Sequence, residues 1–437
     1  MTCAIDRAPA RWRAWWFPSL AALVVAVSVV WGWRVQADPD TKLGAAPLVG
    51  QWRVRFGPTL VPAAALALGV VRWGPRLAQR LRFGLLALGA ALSSLAFTLL
   101  LAASDGWARV LDPVVHPSEY WANLATLPPA GAMLHRYGTY PFLLSYSVHA
   151  KGHPPGFLLL LKGLHGIGLG HPWATGALSY IGVAVVVLAG LYTIRVVADV
   201  ELARRAAPFL VVAPYVVWMG TSADAFYAGV GAIGVLLVVR ALRCRPGVLR
   251  LALAFGAGLT LGALLFLTYG AVIFGLLPVV LAVGLTTGDR RSLAVVVMAA
   301  AAGAAVVVTA FRVAGFWWLD GLAVTRRFYW GGTAHFRPAG YFAVGNLGAA
   351  LIAIGPAAVV GLSRVRTHRL GLIVGAAALC VVAADASQYS KAEVERIWLL
   401  FYPWLVVAAA SLGRPRRWLG AQAALAIGLQ VALVSKW

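Results

Sequence analysis

Cysteines and charged residues are scarce in this chain of 437 residues. The three cysteines, Cys3, Cys244 and Cys380, lie far apart, so they form neither a metal-binding motif nor an obvious disulfide pair. Only 12% of the residues are charged, whereas 61% are hydrophobic. A soluble protein of this length could not bury that much apolar surface. The composition therefore predicts a polytopic membrane protein with a single integral membrane domain, residues 1–437.

Acidic residues are much the scarcer of the two charged classes. There are 14 Asp and Glu residues against 37 Lys and Arg residues, which gives a formal net charge of +23. A nucleic-acid-binding protein can have a similar excess, but most arginines here occur in short clusters between hydrophobic blocks. Clusters in that position set the orientation of a membrane protein. We therefore expect membrane lipids as partners, and no nucleic acid.

Apolar runs of membrane-spanning length recur along the whole chain, and they predict an all-α, polytopic transmembrane helix bundle of about thirteen helices. The number falls to eleven if the tight junctions at 222–224 and 267–271 do not separate two spans. The first run is longer than a typical signal-peptide core, which favours an uncleaved helix. The predicted spans are 17–35, 57–73, 83–103, 174–197, 205–222, 224–241, 249–267, 271–286, 292–313, 343–362, 369–384, 396–411 and 417–435.

The charge distribution predicts the orientation of these spans. With a cytoplasmic N-terminus, 21 of the 37 basic residues fall on the inner side and 15 on the outer side, as the positive-inside rule requires. Ten of the 14 acidic residues and seven of the eight histidines fall outside. We therefore predict a multi-pass protein of the cell membrane with a cytoplasmic N-terminus and an external C-terminus. The first outer loop is an exception, because it is basic: Arg34, Lys42, Arg53 and Arg55.

Three external segments, 105–173, 314–342 and 385–396, contain most of the residues capable of chemistry. In the first of them the leucine-rich block 155–168 is too short to span, and counting it as a span would invert every later loop. We predict that it is a helix lying in the outer interface, with Trp173 near its exit. Ionisable groups beside a bilayer are costly unless they have a function, so segment 105–173 is the predicted active site.

The first motif in that segment is Asp112-x3-His116-x2-Glu119-Tyr120. Its two prolines place Asp112 on a loop, and Ser118 is suited to cap a helix near 118–126. A carboxylate here could act as a general base that takes the proton of an acceptor hydroxyl. The alternative is a solvated loop followed by a helix cap, and the residues alone leave both interpretations open.

The second motif, His149-x3-His153-Pro-Pro-Gly, leads into the interfacial block. The prolines favour an extended chain that presents His153 at the start of the helix. This pattern suits a polar ligand contact near the bilayer surface, but it is equally typical of a loop. The two histidines and the neighbouring carboxylates could also hold a divalent metal, although no zinc-finger spacing accompanies them.

The third and fourth motifs place cations among aromatic residues and carboxylates. Segment 314–342 combines three arginines with eight aromatic residues between Phe316 and Tyr341, a mixture that suits the phosphate, sugar and prenyl chain of a lipid-linked sugar. The alternative is an ordinary interfacial aromatic belt. Segment 385–398 places four charged residues at the start of a helix. They could belong to the site or form a solvated helix cap. Asp224 belongs to the same external layer, as a ligand contact or a helix cap. The charged residues are Arg326, Arg327, Arg337, Lys391, Glu393, Glu395 and Arg396.

Taken together, these motifs resemble the GT-C membrane glycosyltransferases that use polyprenyl-phosphate sugars, in particular the protein O-mannosyltransferase and aminoarabinose-transferase type. Three elements carry the resemblance, in order: H-P-S-E-Y-W, which contains Glu119 and Tyr120; H-P-P-G-F-L-L-L-L-K-G-L from His153; and S-A-D-A at 222–225. The resemblance covers about residues 105–245. The chain departs from the family in two respects, because its acidic pair is not contiguous and two predicted helices precede the one before the acidic loop.

The resemblance implies a GT-C-like fold and transfer of a sugar from a polyprenyl-phosphate donor to a hydroxyl of a glycan, lipid or protein at the cell envelope. Such transfer needs a base and cations for the departing phosphate. We expect Glu119, and next Asp112, as the base, with no certain cofactor and a divalent metal left open. A lipid transporter or flippase and a non-catalytic subunit of a cell-envelope assembly are the alternatives. The expected phosphate ligands are His153, Arg326, Arg327, Arg337, Lys391 and Arg396. Further site candidates are His116, Tyr120, His149, Asp224, Glu393 and Glu395.

Overall fold

The long apolar runs form helices in the computed structural model, which describes residues 15–220, 222–286 and 288–436. The predicted cytoplasmic N-terminus, residues 1–14, lies outside the described residues. The first ten α-helices are α1 (Trp16–Val35), α2 (Leu60–Arg80), α3 (Phe83–Ala102), α4 (Asp112–Val115), α5 (Ala130–Tyr137), α6 (Tyr140–Leu143), α7 (Val148–Gly152), α8 (Gly156–Gly166), α9 (Pro172–Val197) and α10 (Val200–Val211).

The second half of the chain is also helical, and its longest helices lie between residues 223 and 387. The remaining α-helices are α11 (Ala223–Arg243), α12 (Val248–Leu267), α13 (Ala271–Phe274), α14 (Leu276–Leu285), α15 (Arg290–Val313), α16 (Trp318–Gly331), α17 (Ala339–Leu362), α18 (His368–Ser387), α19 (Val394–Ile397), α20 (Tyr402–Val406) and α21 (Pro415–Ala432). Short 3₁₀ helices link them at Pro39–Thr41, Ala103–Asp105, Trp107–Arg109, Tyr120–Thr126, Pro214–Trp218, Thr333–His335, Trp398–Leu400 and Val407–Ser411.

Eight helices of the described residues are long and apolar enough to cross a membrane: α1, α3, α9, α11, α12, α15, α17 and α18. The stretches Val394–Leu400 and Tyr402–Ser411 meet at 80° and make a ninth span if they count as one broken helix. The other four predicted spans fall on α2, on α10 with the 3₁₀ helix after it, on α13 with α14, and on α21. The fold is therefore an all-α, multi-pass bundle, and the predicted number of eleven to thirteen spans is not confirmed.

The centre of the bundle is formed by α9 and α11, which pack so closely that a side chain has no room at one point. A Cβ atom added to Gly182 on α9 would lie 2.2 Å from the carbonyl oxygen of Ala225 on α11. Small residues allow this approach of two helices in a membrane. The contact also fixes the N-terminal turn of α11, which carries Asp224. Packing at Gly182 therefore positions a candidate site residue.

Four two-residue strands lie at one end of the bundle. Strand β1 (Gly44–Ala45) pairs with β2 (Leu48–Val49), and β3 (Gln51–Trp52) pairs with β4 (Leu433–Val434), both antiparallel. The second pairing joins the segment after α1 to the segment after α21, so these segments share one side of the molecule. The prediction also put them on one side. Which side faces the cytoplasm is not determined by this pairing and stays a prediction.

Three local predictions were wrong. Asp112 does not lie on a loop but begins α4, because a proline in the first turn of a helix loses no hydrogen bond. A helix does form near 118–126, as the 3₁₀ helix Tyr120–Thr126, but its N-cap is Glu119 and not the predicted Ser118. Segment 314–342, expected as a loop, contains the 14-residue helix α16.

The interfacial block does form a helix, α8, whose 11 residues are too few to cross a bilayer.

Candidate functional site

A cavity of about 1490 Å³ lies at the end of the bundle that carries the strands. Its lining residues come from the ranges 36–51, 118, 140–153, 268–273, 318–337, 384–401 and 434–436. All of these ranges belong to, or directly adjoin, segments predicted to be external. Elements that are far apart in sequence therefore meet in one space that can hold a large substrate.

The structure brings all six predicted phosphate ligands to this cavity. His153, Arg326, Arg327, Arg337, Lys391 and Arg396 line it, together with His149 and Glu393. The six are not equivalent, however. Arg326 and Arg327 on α16 are exposed, whereas Arg337, Lys391 and Arg396 expose 8%, 6% and 4% of their surface. The cavity thus has an exposed basic rim and a buried charged base.

Seven residues connect through side-chain and backbone contacts into one cluster at the base, which we call the buried charge network. Arg396 is its centre. Its Nη1 atom pairs with Asp224 on α11, and its Nη2 atom lies 3.3 Å from Oε2 of Glu393. Ser222, the N-cap of α11, donates its hydroxyl to the same Asp224 oxygen at 2.9 Å. The members of the network are Glu119, His149, Asp224, Arg337, Lys391, Glu393 and Arg396.

Arg396 also determines which nitrogen of His149 carries the proton. A guanidinium group can only donate hydrogen bonds, so Nε2 of His149, 3.2 Å from Nη2 of Arg396, is the acceptor. The ring proton then lies on Nδ1, which is 2.7 Å from Oε2 of Glu119. In this conformation the N–H bond is not aligned with that oxygen. His149 thus stands between the buried Glu119 and the cavity.

The far side of the network is formed by Arg337 and Lys391. Arg337 lies 3.7 Å from Glu393 and donates to the carbonyl of Thr41 at 2.9 Å. The Nζ atom of Lys391 donates to the carbonyl of Arg337 at 2.9 Å. The network then contains three cations and three carboxylates, with the ring of His149 between Glu119 and Arg396. Its charges balance without a ligand, which is the condition under which buried charges are tolerated.

Glu393 is the member of the network with most access to the cavity, since 27% of its side chain is exposed. Burial alone would raise the pKa of Glu393, but Arg396 and Arg337 lower it below its ordinary value. The backbone around it is unusual, because Ala392 and Glu393 both have left-handed φ angles, 66° and 61°. Two consecutive non-glycine residues in that region are strained, and such strain is concentrated at functional sites.

His153 lies among aromatic rings next to the network. Its ring centroid is 5.7 Å from that of Tyr120 and 5.9 Å from that of Tyr227, whose hydroxyls are 3.1 Å apart. Burial lowers the pKa of His153 to about 4, and burial raises the pKa of Tyr120 well above 10. Because its Nδ1 atom is 3.0 Å from the carbonyl of His149, the neutral ring has its proton there. His153 is therefore an uncharged polar group at neutral pH.

Five cations line the cavity outside the buried charge network, and we call them the rim cations. Two of them cover aromatic rings: Arg327 lies 4.0 Å above Tyr140, and Lys151 lies 5.3 Å above Phe328. The two rings stack on each other at 4.4 Å. Within the described residues, none of the ion pairs includes a rim cation. The rim cations are Lys42, Lys151, Arg326, Arg327 and Lys436.

Other predicted site residues lie elsewhere. Asp112 pairs with Arg109 at 3.1 Å, with more than half of each side chain exposed, and it does not line the cavity. His116 contacts the hydroxyl of Ser118 at 2.7 Å. Glu395 is fully buried and accepts the backbone N–H of Val49 at 2.8 Å, so it holds the β1–β2 hairpin instead of facing the cavity.

Three of the rim cations, Lys42, Lys151 and Lys436, were not predicted as site residues from the sequence. Lys42 and Lys436 stand at opposite ends of the chain, and only the pairing of β3 with β4 brings them to one cavity. The basic first outer loop, which conflicted with the positive-inside rule, was the available signal for Lys42. Lys151 lies between the two histidines of the second motif, and that position was the signal for it.

The described residues contain no group of three or more His, Cys, Asp or Glu side chains placed to hold a metal ion. Arg396 instead contacts His149, Asp224 and Glu393 of the network. No protein-family model matches this chain, and no curated protein matches its sequence.

Proposed function

We propose that this protein transfers a sugar from a polyprenyl-phosphate donor to a hydroxyl acceptor on the outer face of the membrane. The observation that carries the proposal is the cavity itself, in which a balanced network with carboxylates adjoins a rim of unpaired cations. Such a division suits a reaction that must bind a phosphate at one place and remove a proton at another.

The donor phosphate fits the rim better than the network. Adding an anion to a network that already contains as many carboxylates as cations would unbalance buried charges. Arg326 and Arg327 have no carboxylate partner within the described residues. One guanidinium group can donate two parallel hydrogen bonds to two oxygens of a phosphate. Apolar residues of α13 and α16, including Val272 and Leu319, line the same cavity and are exposed. They are suited to the first isoprene units of the lipid.

The proton of the acceptor would leave through His149. This imidazole lines the cavity, and Glu119 behind it stabilises the protonated ring. For the acceptor to approach, Nε2 of His149 must exchange its contact with Arg396 for the acceptor hydroxyl. Glu119, expected from the sequence to be the base itself, then acts through His149. The acceptor oxygen forms its bond to the anomeric carbon as the bond from that carbon to the phosphate oxygen breaks, and the electron pair of the broken bond remains on the phosphate at the rim.

The test is sugar transfer by purified protein in proteoliposomes that contain a radiolabelled polyprenyl-phosphate sugar. We expect release of polyprenyl phosphate and a new glycosidic product when hydroxyl acceptors are supplied on the external side. Movement of the intact donor between leaflets, without cleavage, would instead identify a flippase. Donor binding with neither cleavage nor movement, across a panel of acceptors, would identify a non-catalytic subunit.

A further inference from the structure

The rim carries more positive charge than the proposed donor can neutralise. Outside the buried charge network, five cations line the cavity, whereas Asp38 is the one carboxylate that does so among the described residues. A polyprenyl-phosphate sugar is a phosphodiester and has a single negative charge. With that donor bound, three positive charges would remain in excess. None of the rim cations has a carboxylate partner within the described residues, so the rim can attract and bind a second anion.

We infer that the acceptor is itself anionic, and that Lys42, Lys151 and Lys436 bind a phosphate or carboxylate group that it carries. The inference rests on the proposed function, because it assigns the two arginines of the rim to the donor. The hydroxyl that receives the sugar is a separate group of the acceptor and lies towards His149. The anion could belong to a glycan or to a lipid headgroup, and its chemistry is the same in both.

The backbone at Lys42 is a first reason to assign these lysines to a ligand. Lys42 has a left-handed φ of 50°, at the end of the 3₁₀ helix Pro39–Thr41. Glycine or asparagine is favoured in this conformation because a larger side chain is strained. A lysine there, exposed and lining the cavity, indicates that its side chain has a role that glycine could not fill.

Neighbouring elements position Lys151 and the backbone that leads to Lys436. The carbonyl of Lys151 accepts the hydroxyl of Thr325 at 2.8 Å, which fastens α7 to α16, and its ammonium group lies over Phe328. Lys436 follows β4, which is paired with β3. The ammonium group of a lysine is a compact point charge, and it binds carboxylate or phosphate without requiring two parallel hydrogen bonds.

Binding of anionic probes to the full chain in lipid nanodiscs tests the inference. In phosphatidylcholine nanodiscs the probes are hexagalacturonate, which carries carboxylates, and neutral maltohexaose. The test variant is Lys42→Gln/Lys151→Gln/Lys436→Gln. The matched control removes three exposed cations that do not line the cavity, Arg290→Gln/Arg291→Gln/Arg366→Gln. Nanodiscs with phosphatidylglycerol, analysed by native mass spectrometry, form the lipid arm.

We expect hexagalacturonate, or retained phosphatidylglycerol, to bind the wild type and the control equally. The triple lysine variant should bind at least tenfold more weakly, and added salt should weaken binding. The arm that responds identifies a glycan or a lipid as the source. Equal binding of maltohexaose and hexagalacturonate, or full retention by the lysine variant in both arms, overturns the inference.

Decaprenyl phosphate, measured in the same nanodiscs, separates this inference from the proposed function. The lysine variant should still bind it. Anion binding that depends on the lysines, without decaprenyl-phosphate binding by the wild type, would reject the proposed function and leave the anion site standing. The reverse pattern would reject the anion site alone.

Discussion

At the scale of single residues, the position of Glu119 determines how a proton can leave an acceptor hydroxyl. Glu119 is 8% exposed and reaches the cavity only through His149, 2.7 Å away. Asp112, the other carboxylate of the same sequence motif, is exposed and pairs with Arg109. The spacing of the motif could not show which of these two residues contacts the cavity, because both lie near prolines in one external segment. Their environments differ because α7 brings His149 to Glu119 alone.

Glu119→Gln should reduce sugar transfer about 10²–10⁴-fold, because it removes the charge that stabilises protonated His149. Donor binding should remain, since Gln has the same shape. The measurement is the single-turnover rate with saturating donor, and Asp112→Asn is the matched control. A variant Glu119→Gln with wild-type turnover, or a loss in Asp112→Asn alone, would contradict the assignment of the proton path.

His153 should make stability depend on pH. Its folded pKa of about 4 lies below its ordinary value of 6.5, so the unfolded chain binds more protons between these values. The contribution of this pKa difference to the free energy of unfolding is fully present above about pH 6.5. It is lost as the pH falls towards 4. The melting temperature in detergent should decrease across this window, and it should decrease less in His153→Gln. Parallel curves for the two proteins would show that His153 stays accessible to protons in the folded state.

At the scale of elements, the sequence predicted where helices form but not how they meet. All thirteen apolar blocks overlap helices, because long apolar runs specify helices regardless of tertiary contacts. The 80° bend between Val394–Leu400 and Tyr402–Ser411 was not predicted. Arg396 lies in the first of these two stretches and pairs with Asp224 and Glu393, contacts that hydropathy does not reveal.

The close packing of α9 and α11 can be tested with two glycines of one helix. Gly182→Ala should destabilise the protein by about 1–3 kcal/mol, because the new Cβ meets the backbone of α11. It should also displace Asp224 and weaken donor turnover. Gly190→Ala is the matched control, since a Cβ there has no heavy atom within 4 Å. Equal melting temperatures for the two variants would contradict the packing described for these helices.

At the scale of the whole molecule, the cavity is made from segments predicted to be external. The sequence did not predict that these segments line one and the same cavity. Hydropathy and charge counts assign a side to each loop, but they do not show that residues 36–51 and 434–436 line the same space. The strand pairs that bring them together contain two residues each, too short to be recognised in a sequence.

The orientation predicts external access to residue 167 on this face. Ile167 is 73% exposed, just beyond α8, and so accepts a cysteine without loss of packing. In a cysteine-free background, Ile167→Cys should react with an impermeant maleimide applied to intact cells. Cysteine at Arg366, an exposed residue of a predicted inner loop, should react only after permeabilisation. The opposite pattern would invert the topology and place the cavity on the cytoplasmic side.

The most direct measurement of the central claim is the affinity for polyprenyl phosphate. Purified protein in phosphatidylcholine nanodiscs is titrated with decaprenyl phosphate, and the dissociation constant is compared among wild type, Arg326→Gln/Arg327→Gln and Arg364→Gln/Arg366→Gln. The first pair lines the cavity and the second pair does not. We predict binding by the wild type, at least tenfold weaker binding by the rim variant, corresponding to about 1.4 kcal/mol or more, and unchanged binding by the control. Equal affinity in all three proteins, or no binding by the wild type, would contradict the account.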